Sequence, residues 1–332
     1  MCAKKKFVTT NPKLPIIKDN WLQNPLDERG LYCNLNEKSE RGLKEVLQWQ
    51  LGKKPHRLEK KVEQFCHTVN FNSHFLQNKS DGVVWLGHAS FLLHIDGIRI
   101  VIDPIFWGIS GLKRKTAMPC HPSEIKDVDV ILLSHNHRDH ADEKSMKLLC
   151  ATNPTALILT GLQIGNLLRQ WKIQNVIEEA GWYQQYSFRK LNIAYLPAKH
   201  WSRRFLWDLN EMLWGSFIIQ GKNQSIYFGA DSGYDAHFKE VGSLFGTIDI
   251  GILGCGAYKP EWFMSTSHKN PAEAVKAFND TGAKVFIPMH IGTFDLSDEP
   301  LSEPFRLLKN YEEELKINGE LKILDIGTTL FY

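Results

Sequence analysis

The sequence contains no apolar run of the ~20 residues that a membrane-spanning helix needs. Its opening stretch, Met1-Cys-Ala-Lys-Lys-Lys-Phe7, lacks the long apolar segment of a secretory signal. From these two absences we expect a cytoplasmic protein. Cysteine is sparse as well. Cys2, Cys33, Cys66, Cys120, Cys150 and Cys255 are scattered without a C-x-x-C pair, which reads as free thiols in a reducing compartment. Nor does charge of one sign dominate: 40 Lys and Arg against 37 Asp and Glu leave a net +3, with no long basic segment. That argues against a nucleic-acid partner. No convincing G-x-S-x-G elbow is present, so a serine nucleophile is not expected.

What remains is a chain of 332 residues with ordinary apolar content, long enough to bury a sizeable core. The first part is polar and interrupted by Pro12, Pro15, Pro25 and Pro55. Leu43, Val46, Leu47 and Leu51 follow helical spacing after Ser39 and Glu40, and Leu58, Val62 and Phe65 mark a shorter apolar face. This segment reads as an extension packed onto a main domain, with no visible chemistry. Strands become dense from Val83, and Asp96-Gly97 is a hairpin signal between Phe91–Ile95 and Ile98–Ile102.

The rest is organised around Ile131-Leu-Leu-Ser134-His135-Asn136-His137-Arg138-Asp139-His140. Val128, Val130, Ile131, Leu132 and Leu133 have the continuous apolar character of a strand covered on both faces. Side chains alternate at a strand end, so His135, His137 and Asp139 are expected on one side. Such N and O donors suit zinc or a related divalent ion. A lone histidine is usually a packed or surface ring, but four donors in six residues are hard to explain that way. Three later strands repeat the pattern, Ile193–Pro197 leading to His200, Ser225–Gly229 to Asp231, and Lys284–Pro288 to His290. Parallel strands deliver distant residues to one sheet edge. Seven donors exceed the four that a tetrahedral zinc accepts, so two ions sharing a carboxylate are the economical solution. Asp103 reads either as a turn carboxylate or as a group holding a ligand histidine in orientation.

The motif His135-x-His137-x-Asp139-His140, followed in order by His200, Asp231 and His290, resembles the metallo-β-lactamase superfamily. Further stretches resemble its N-acylphosphatidylethanolamine-hydrolysing phospholipase D branch and the bacterial relatives of that branch. They include Trp85-Leu-Gly-His88, Asp103-Pro-Ile-Phe106, Pro197-Ala-Lys-His-Trp201, Gly229-Ala-Asp-Ser-Gly-Tyr234, Gly256–Met264, His268-x-x-Pro-Ala-Glu-Ala-Val275 and His290-x-Gly-Thr-Phe294. The resemblance implies an α/β fold, an αββα sandwich with a helical N-terminal extension. We divide the chain accordingly into an extension with short helices, 1–79, and a hydrolase domain, 80–332.

The resemblance also implies His135, His137 and His200 on one ion, Asp139, His140 and His290 on the other, and Asp231 bridging them. Two Zn2+ ions per chain are expected, with Mn2+ or Fe2+ as alternatives. Such a pair can bring a shared water toward a neutral pKa and hold an in-line displacement at phosphorus. The implied substrate is N-acyl phosphatidylethanolamine, cleaved by hydroxide to N-acylethanolamine and phosphatidic acid. Asp139, Asp231 and His268 are the candidate catalytic residues. His268 resembles the family's substrate-contacting histidine, but it also reads as a helix-start residue before Asn270-Pro271.

Arg203, Arg204, Tyr258 and Trp262 are the remaining candidate substrate contacts. Arginines can fork onto phosphate, and Phe205 and Trp207 beside them suit a lipid interface, whereas Trp214 reads as core. Peripheral membrane contact is therefore expected, and a homo-oligomer stays open. The rival readings are a hydrolase of small soluble phosphorylated esters or lactones, resembling L-ascorbate-6-phosphate lactonase, and a non-catalytic metal- or lipid-binding protein.

Overall fold

The computed structural model describes residues 8–36 and 42–332, without the side chain of Leu43. The basic opening stretch, Cys2, and the Ser39 and Glu40 expected at a helix start lie outside the described residues. Alternation and turn chemistry set the strands. They are β1 Gly82–Gly87, β2 Ser90–Ile95, β3 Ile98–Ile102, β4 Val130–Leu133, β5 Leu157–Gly161, β6 Ile177–Ala180 and β7 Gln184–Phe188. There follow β8 Leu191–Leu196, β9 Ser216–Gln220, β10 Ser225–Phe228, β11 Ile248–Gly254, β12 Ala283–Met289, β13 Glu320–Leu321 and β14 Thr329–Phe331. Two seven-stranded sheets result, in the orders β14-β1-β2-β3-β4-β5-β6 and β13-β12-β11-β10-β9-β8-β7. Asp96 and Gly97 both take positive φ, 52° and 75°, the conformation of the tight turn that joins β2 to β3.

Successive side chains point to opposite faces, and the burial follows that period. Val83, Trp85, Phe91, Leu93, Ile100, Ile102, Val130 and Leu132 face the second sheet and share a core with Ile193, Phe217, Ile219 and Phe228. Val84, Leu86, Leu92, Val101, Ile131 and Leu133 face outward into a separate cluster.

Helices α1 Leu43–Leu51, α2 Arg57–Val62 and α3 His74–Gln77 precede the first sheet. Its outer face is covered by α4 Glu143–Thr152 and α5 Ile164–Gln170, through Met146, Leu149, Ile164 and Leu167. Beyond the second sheet lie α6 His237–Phe245, the short α7 Glu261–Met264, α8 Pro271–Thr281 and α9 Glu303–Glu313. Phe238, Val241, Ala274 and Phe278 of α6 and α8 join the central cluster. The layers are therefore α, β, β and α, as expected.

Strand direction explains where chemistry collects. β1, β2 and β3 pair antiparallel and β3 and β4 parallel, so β1, β3 and β4 run the same way. By the same rule β8, β10, β11 and β12 run together in the other sheet. Ends of strands from both sheets meet at one rim.

The N-terminal segment departs from expectation. α1 and α2 form, yet Leu58 and Val62 stay 77% and 76% exposed, so their apolar face is not buried. The Trp49 ring stacks on Phe263 with centroids 5.0 Å apart, and polar contacts hold the rest. The Trp49 indole donates to Asp298, Lys54 pairs with Asp298, and Lys60 pairs with Asp295. Residues 8–36 are tied more deeply, with Tyr32 wholly buried in the core and Ile17 N–H donating to the Tyr183 carbonyl at 2.8 Å.

Candidate metal centre

At the shared rim each strand end delivers a donor. β1 leads to His88, β3 to Asp103, β4 to His135, β8 to His200, β10 to Asp231 and β12 to His290. The donors form two adjoining groups, His135, His137, His200 and Asp231 in one and His88, Asp139, His140 and His290 in the other, with donor atoms of each group within 4.8 Å of one another. Asp231 Oδ2 lies between them, 3.1 and 3.2 Å from His140 and His290 Nε2 and 3.9 and 4.0 Å from His200 and His135 Nε2. The expectation that Asp139 shares a side with His135 and His137 is corrected. Strand alternation stops after Leu133 and the chain turns at 138–140, where the His140 and Ala141 amides donate to the His137 carbonyl. That turn swings Asp139 into the second group.

The backbone at the rim is unusually constrained. His88, Asp103, Ala230 and His290 all have positive φ, 55°, 40°, 47° and 64°, costly for residues with a side chain. Gly256 packs so closely on the His290 carbonyl that a Cβ there would collide with it.

A second layer fixes which ring nitrogen faces inward. His140 Nδ1 lies 2.7 Å from buried Asp103 Oδ2, so it donates there and turns Nε2 toward the rim. Ser134 Oγ donates to Asp103 at 2.5 Å and therefore accepts from His135 Nδ1 at 2.9 Å. His200 Nδ1 donates to the Ser267 carbonyl at 3.0 Å. Asn34, from the N-terminal segment, brackets the same residue: its amide donates to the His200 carbonyl at 2.8 Å and its oxygen accepts from His200 N–H at 3.2 Å.

Electrostatics divide the groups. Burial, reinforced by neighbouring imidazoles, holds His135 and His200 well below the ordinary histidine value, and burial takes His137 to about 4. Burial also opposes charge on His140 and His290, but Asp231 and Asp139 outweigh it, raising His140 well above its usual value and His290 to about 9. Burial works against ionisation of Asp139 and Asp231 too, and the surrounding imidazoles reverse it, holding both far down. The rim thus pairs neutral nitrogens with buried carboxylates that demand positive charge. His135 Nε2 and Asp231 Oδ1 are buried without a hydrogen-bond partner. Orphaned buried donors and acceptors are costly in a protein interior. A pair of divalent cations suits this donor set chemically.

Comparison with known proteins gives the family. A family model described as a β-lactamase superfamily domain matches residues 98–291. The chain belongs to the metallo-β-lactamase superfamily. Within it, an uncharacterized protein of Mycobacterium tuberculosis is 36% identical over 244 residues, covering 70% of this chain and 64% of that protein. The chain thus spans less than two thirds of that relative. N-acyl-phosphatidylethanolamine-hydrolyzing phospholipase D 1 of Caenorhabditis elegans is 33% identical over 251 residues, covering 70% of each chain. Among solved structures, the metallo hydrolase Igni18 of Ignicoccus hospitalis matches with a TM-score of 0.58 and 20% identity, over 76% of this chain and 98% of that one, which establishes the fold.

Around this superfamily rim the other candidates fall into two sets. His268 sits at it, Nδ1 3.9 Å from Asp231 Oδ2, and burial lowers it to about 4. It also precedes α8, whose cap is Asn270 with Pro271 behind it, the position of the helix-start reading. Arg203 lines a groove of about 600 Å³ that opens beside His268. Arg204 borders the same groove, but its guanidinium donates to the Ala141 and Asn136 carbonyls at 2.6 and 3.2 Å and stacks over Trp171. Tyr258 is not brought to the rim, because its buried hydroxyl donates to Glu303. Trp262 is 45% exposed on α7, with its ring edge-on to Phe263. Trp214 is fully buried. Sequence reasoning gave His88 and Asn34 no role at the site. The Trp85–His88 motif signalled the first, and nothing local signals the second. No helix among the described residues is long and apolar enough to cross a membrane.

Proposed function

We propose that the protein is a metal-dependent hydrolase of the phospholipase D type, cleaving N-acyl phosphatidylethanolamine to N-acylethanolamine and phosphatidic acid. The observation that carries this reading is the groove, which joins the paired donor groups through His268 to a wall formed by Phe205, Trp207 and Phe263. Such a channel suits a substrate with a phosphodiester at one end and acyl chains at the other. The name of the Caenorhabditis elegans relative, 33% identical, points to the same substrate.

In this reading His135, His137 and His200 hold one cation, Asp139, His140 and His290 the other, and Asp231 lies between. Zn2+ is our first choice, with Mn2+ or Fe2+ next. Bound cations would supply Lewis acidity and an activated water. The chain does the rest. Asp103 and Ser134 accept from Nδ1 of His140 and His135 and so turn Nε2 of each ring inward. Asp139 and Asp231 would orient the attacking water, whose proton ends on the departing acylethanolamine oxygen, and His268, on the groove side, contacts the phosphodiester. Arg203 holds a non-bridging oxygen, while Arg204 braces the 136–141 loop. Phosphorus gains the water oxygen, and its bond to the acylethanolamine oxygen breaks, releasing an alcohol. Phe205 and Trp207 are assigned to a lipid surface, and residues 80–332 to the hydrolase domain.

The test is purified protein with added Zn2+, offered N-acyl phosphatidylethanolamine in micelles, with both products quantified. Equimolar phosphatidic acid and N-acylethanolamine are expected. Turnover of soluble esters or lactones with no lipid cleavage would transfer the assignment to the small-substrate reading.

A further inference from the structure

His88 has no place in the seven-donor set, and it precedes the stretch matched by the family model. Its Nε2 nevertheless belongs to the Asp139, His140 and His290 group. We infer that His88 is a direct ligand of the cation held there, an eighth protein donor at this centre. The inference rests on the cation-binding half of the proposed function and is independent of the substrate.

Distances carry the argument. Donor atoms about 2.1 Å from a five-coordinate ion lie about 3.0–3.6 Å apart along the edges of the polyhedron. Asp139 Oδ2 is 3.2 Å from His88 Nε2, 3.2 Å from His290 Nε2 and 3.8 Å from His140 Nε2. His88 stands to Asp139 as the accepted ligand His290 does. A true second-layer pair in this same chain is different, with His140 Nδ1 at 2.7 Å from Asp103. That is the length of a charge-assisted hydrogen bond. One carboxylate oxygen ringed by three imidazoles at longer spacing describes edges of a coordination polyhedron better than three competing hydrogen bonds.

The backbone agrees. His88 is held at φ 55°, its N–H donates to Thr293 Oγ1 at 2.7 Å, and its carbonyl accepts from the Trp85 indole at 2.8 Å and from His290 N–H at 3.2 Å. These anchors come from β1 and from the loop after β12, so the ring is aimed before any ion arrives. With Asp231 shared, the His88 position has five protein donors and the His135 position four. The fuller position retains its ion longer, and the other has more room for water and substrate.

Two measurements test this. In a crystal structure of the wild-type protein loaded with Zn2+, His88 Nε2 should lie about 2.0–2.1 Å from one ion. A separation beyond about 3 Å, or an intervening water, overturns the inference. In His88→Ala and His88→Gln, Co2+ titration should show one of two ions weakened by more than about 10-fold, with a changed visible absorption band. Unchanged affinities and superimposable spectra in folded variants would also overturn it. If neither variant folds, the wild-type crystal decides. Because no readout uses substrate, a protein that binds through His88 but cleaves no phosphodiester would sink the proposed function alone, and an active enzyme with His88 remote from both ions would sink only this inference.

Discussion

The strand-end rim and the groove beside it are neighbours built on opposite plans. At the rim, His88, His135, His140, His200 and His290 are buried, held by second-layer bonds and by a backbone forced to positive φ at several positions. Along the groove, Leu206 and Trp207 are 81% and 76% exposed, and Phe205 stacks on Trp207 with ring centroids 5.1 Å apart. Of the helices before the first sheet, α1 is held through Trp49, whose ring stacks on Phe263, and α2 through the Lys60–Asp295 ion pair. Bond-breaking chemistry needs donors placed to fractions of an ångström, which only a packed two-sheet core supplies. Choice of substrate needs accessible surface, which loops supply.

Substitutions can break that division. The largest effect is expected for Asp231→Asn, which halves the charge demand between the two groups. Metal content per chain should fall, and hydrolysis of a soluble diester should drop by more than about 100-fold, since even second-layer partners cost 10–100-fold. Groove variants should leave metal content untouched. Chelation comes next: removing cations should reversibly lower the unfolding midpoint and the unfolding free energy, the latter by about 4 kcal/mol per ion relative to protein with ion at 1,000 times its dissociation constant. An unchanged midpoint would mean the rim is stable without cations.

Asp103→Asn touches no substrate in our reading. It should weaken metal affinity by about 10–100-fold through His140 and Ser134, with KM little altered. A change in KM alone would place Asp103 in the groove's function instead. Phe205→Ser combined with Trp207→Ser should lower activity on vesicles several-fold more than on a soluble diester, and equal losses would argue against interface binding. Smallest is Asn34→Ala, which removes two hydrogen bonds to His200 and should cost about 1–2 kcal/mol in denaturant unfolding.

Much of the scaffold was legible because its signals are local. Asp96-Gly97 marks its own turn, Asp142 caps α4 by accepting from Ser145 N–H at 2.8 Å, and Asn270 with Pro271 starts α8. The His135–His140 motif and the three later strand ends could be read as one site because parallel strands share an edge. Other features gave no such signal. Leu58 and Val62 have helical spacing, but α2 meets the protein through charges and leaves them in solvent. Arg204 and Tyr258 look like substrate contacts by type, yet the Asn136 and Ala141 carbonyls claim one and Glu303 the other.

By itself, the order of residues determined that β-rich segments end in histidines and aspartates suited to divalent cations, since side-chain period and turn preference act within a few residues. Tertiary structure alone decided how those ends are shared out. The turn after His137 sends Asp139 to its second partner set, packing of the turn after β1 against the end of β12 brings His88 beside His290, and docking of the N-terminal segment places Asn34 on His200. Each of those encounters joins residues distant in sequence or reverses a local trend, and only the closing of two sheets on one core makes them happen.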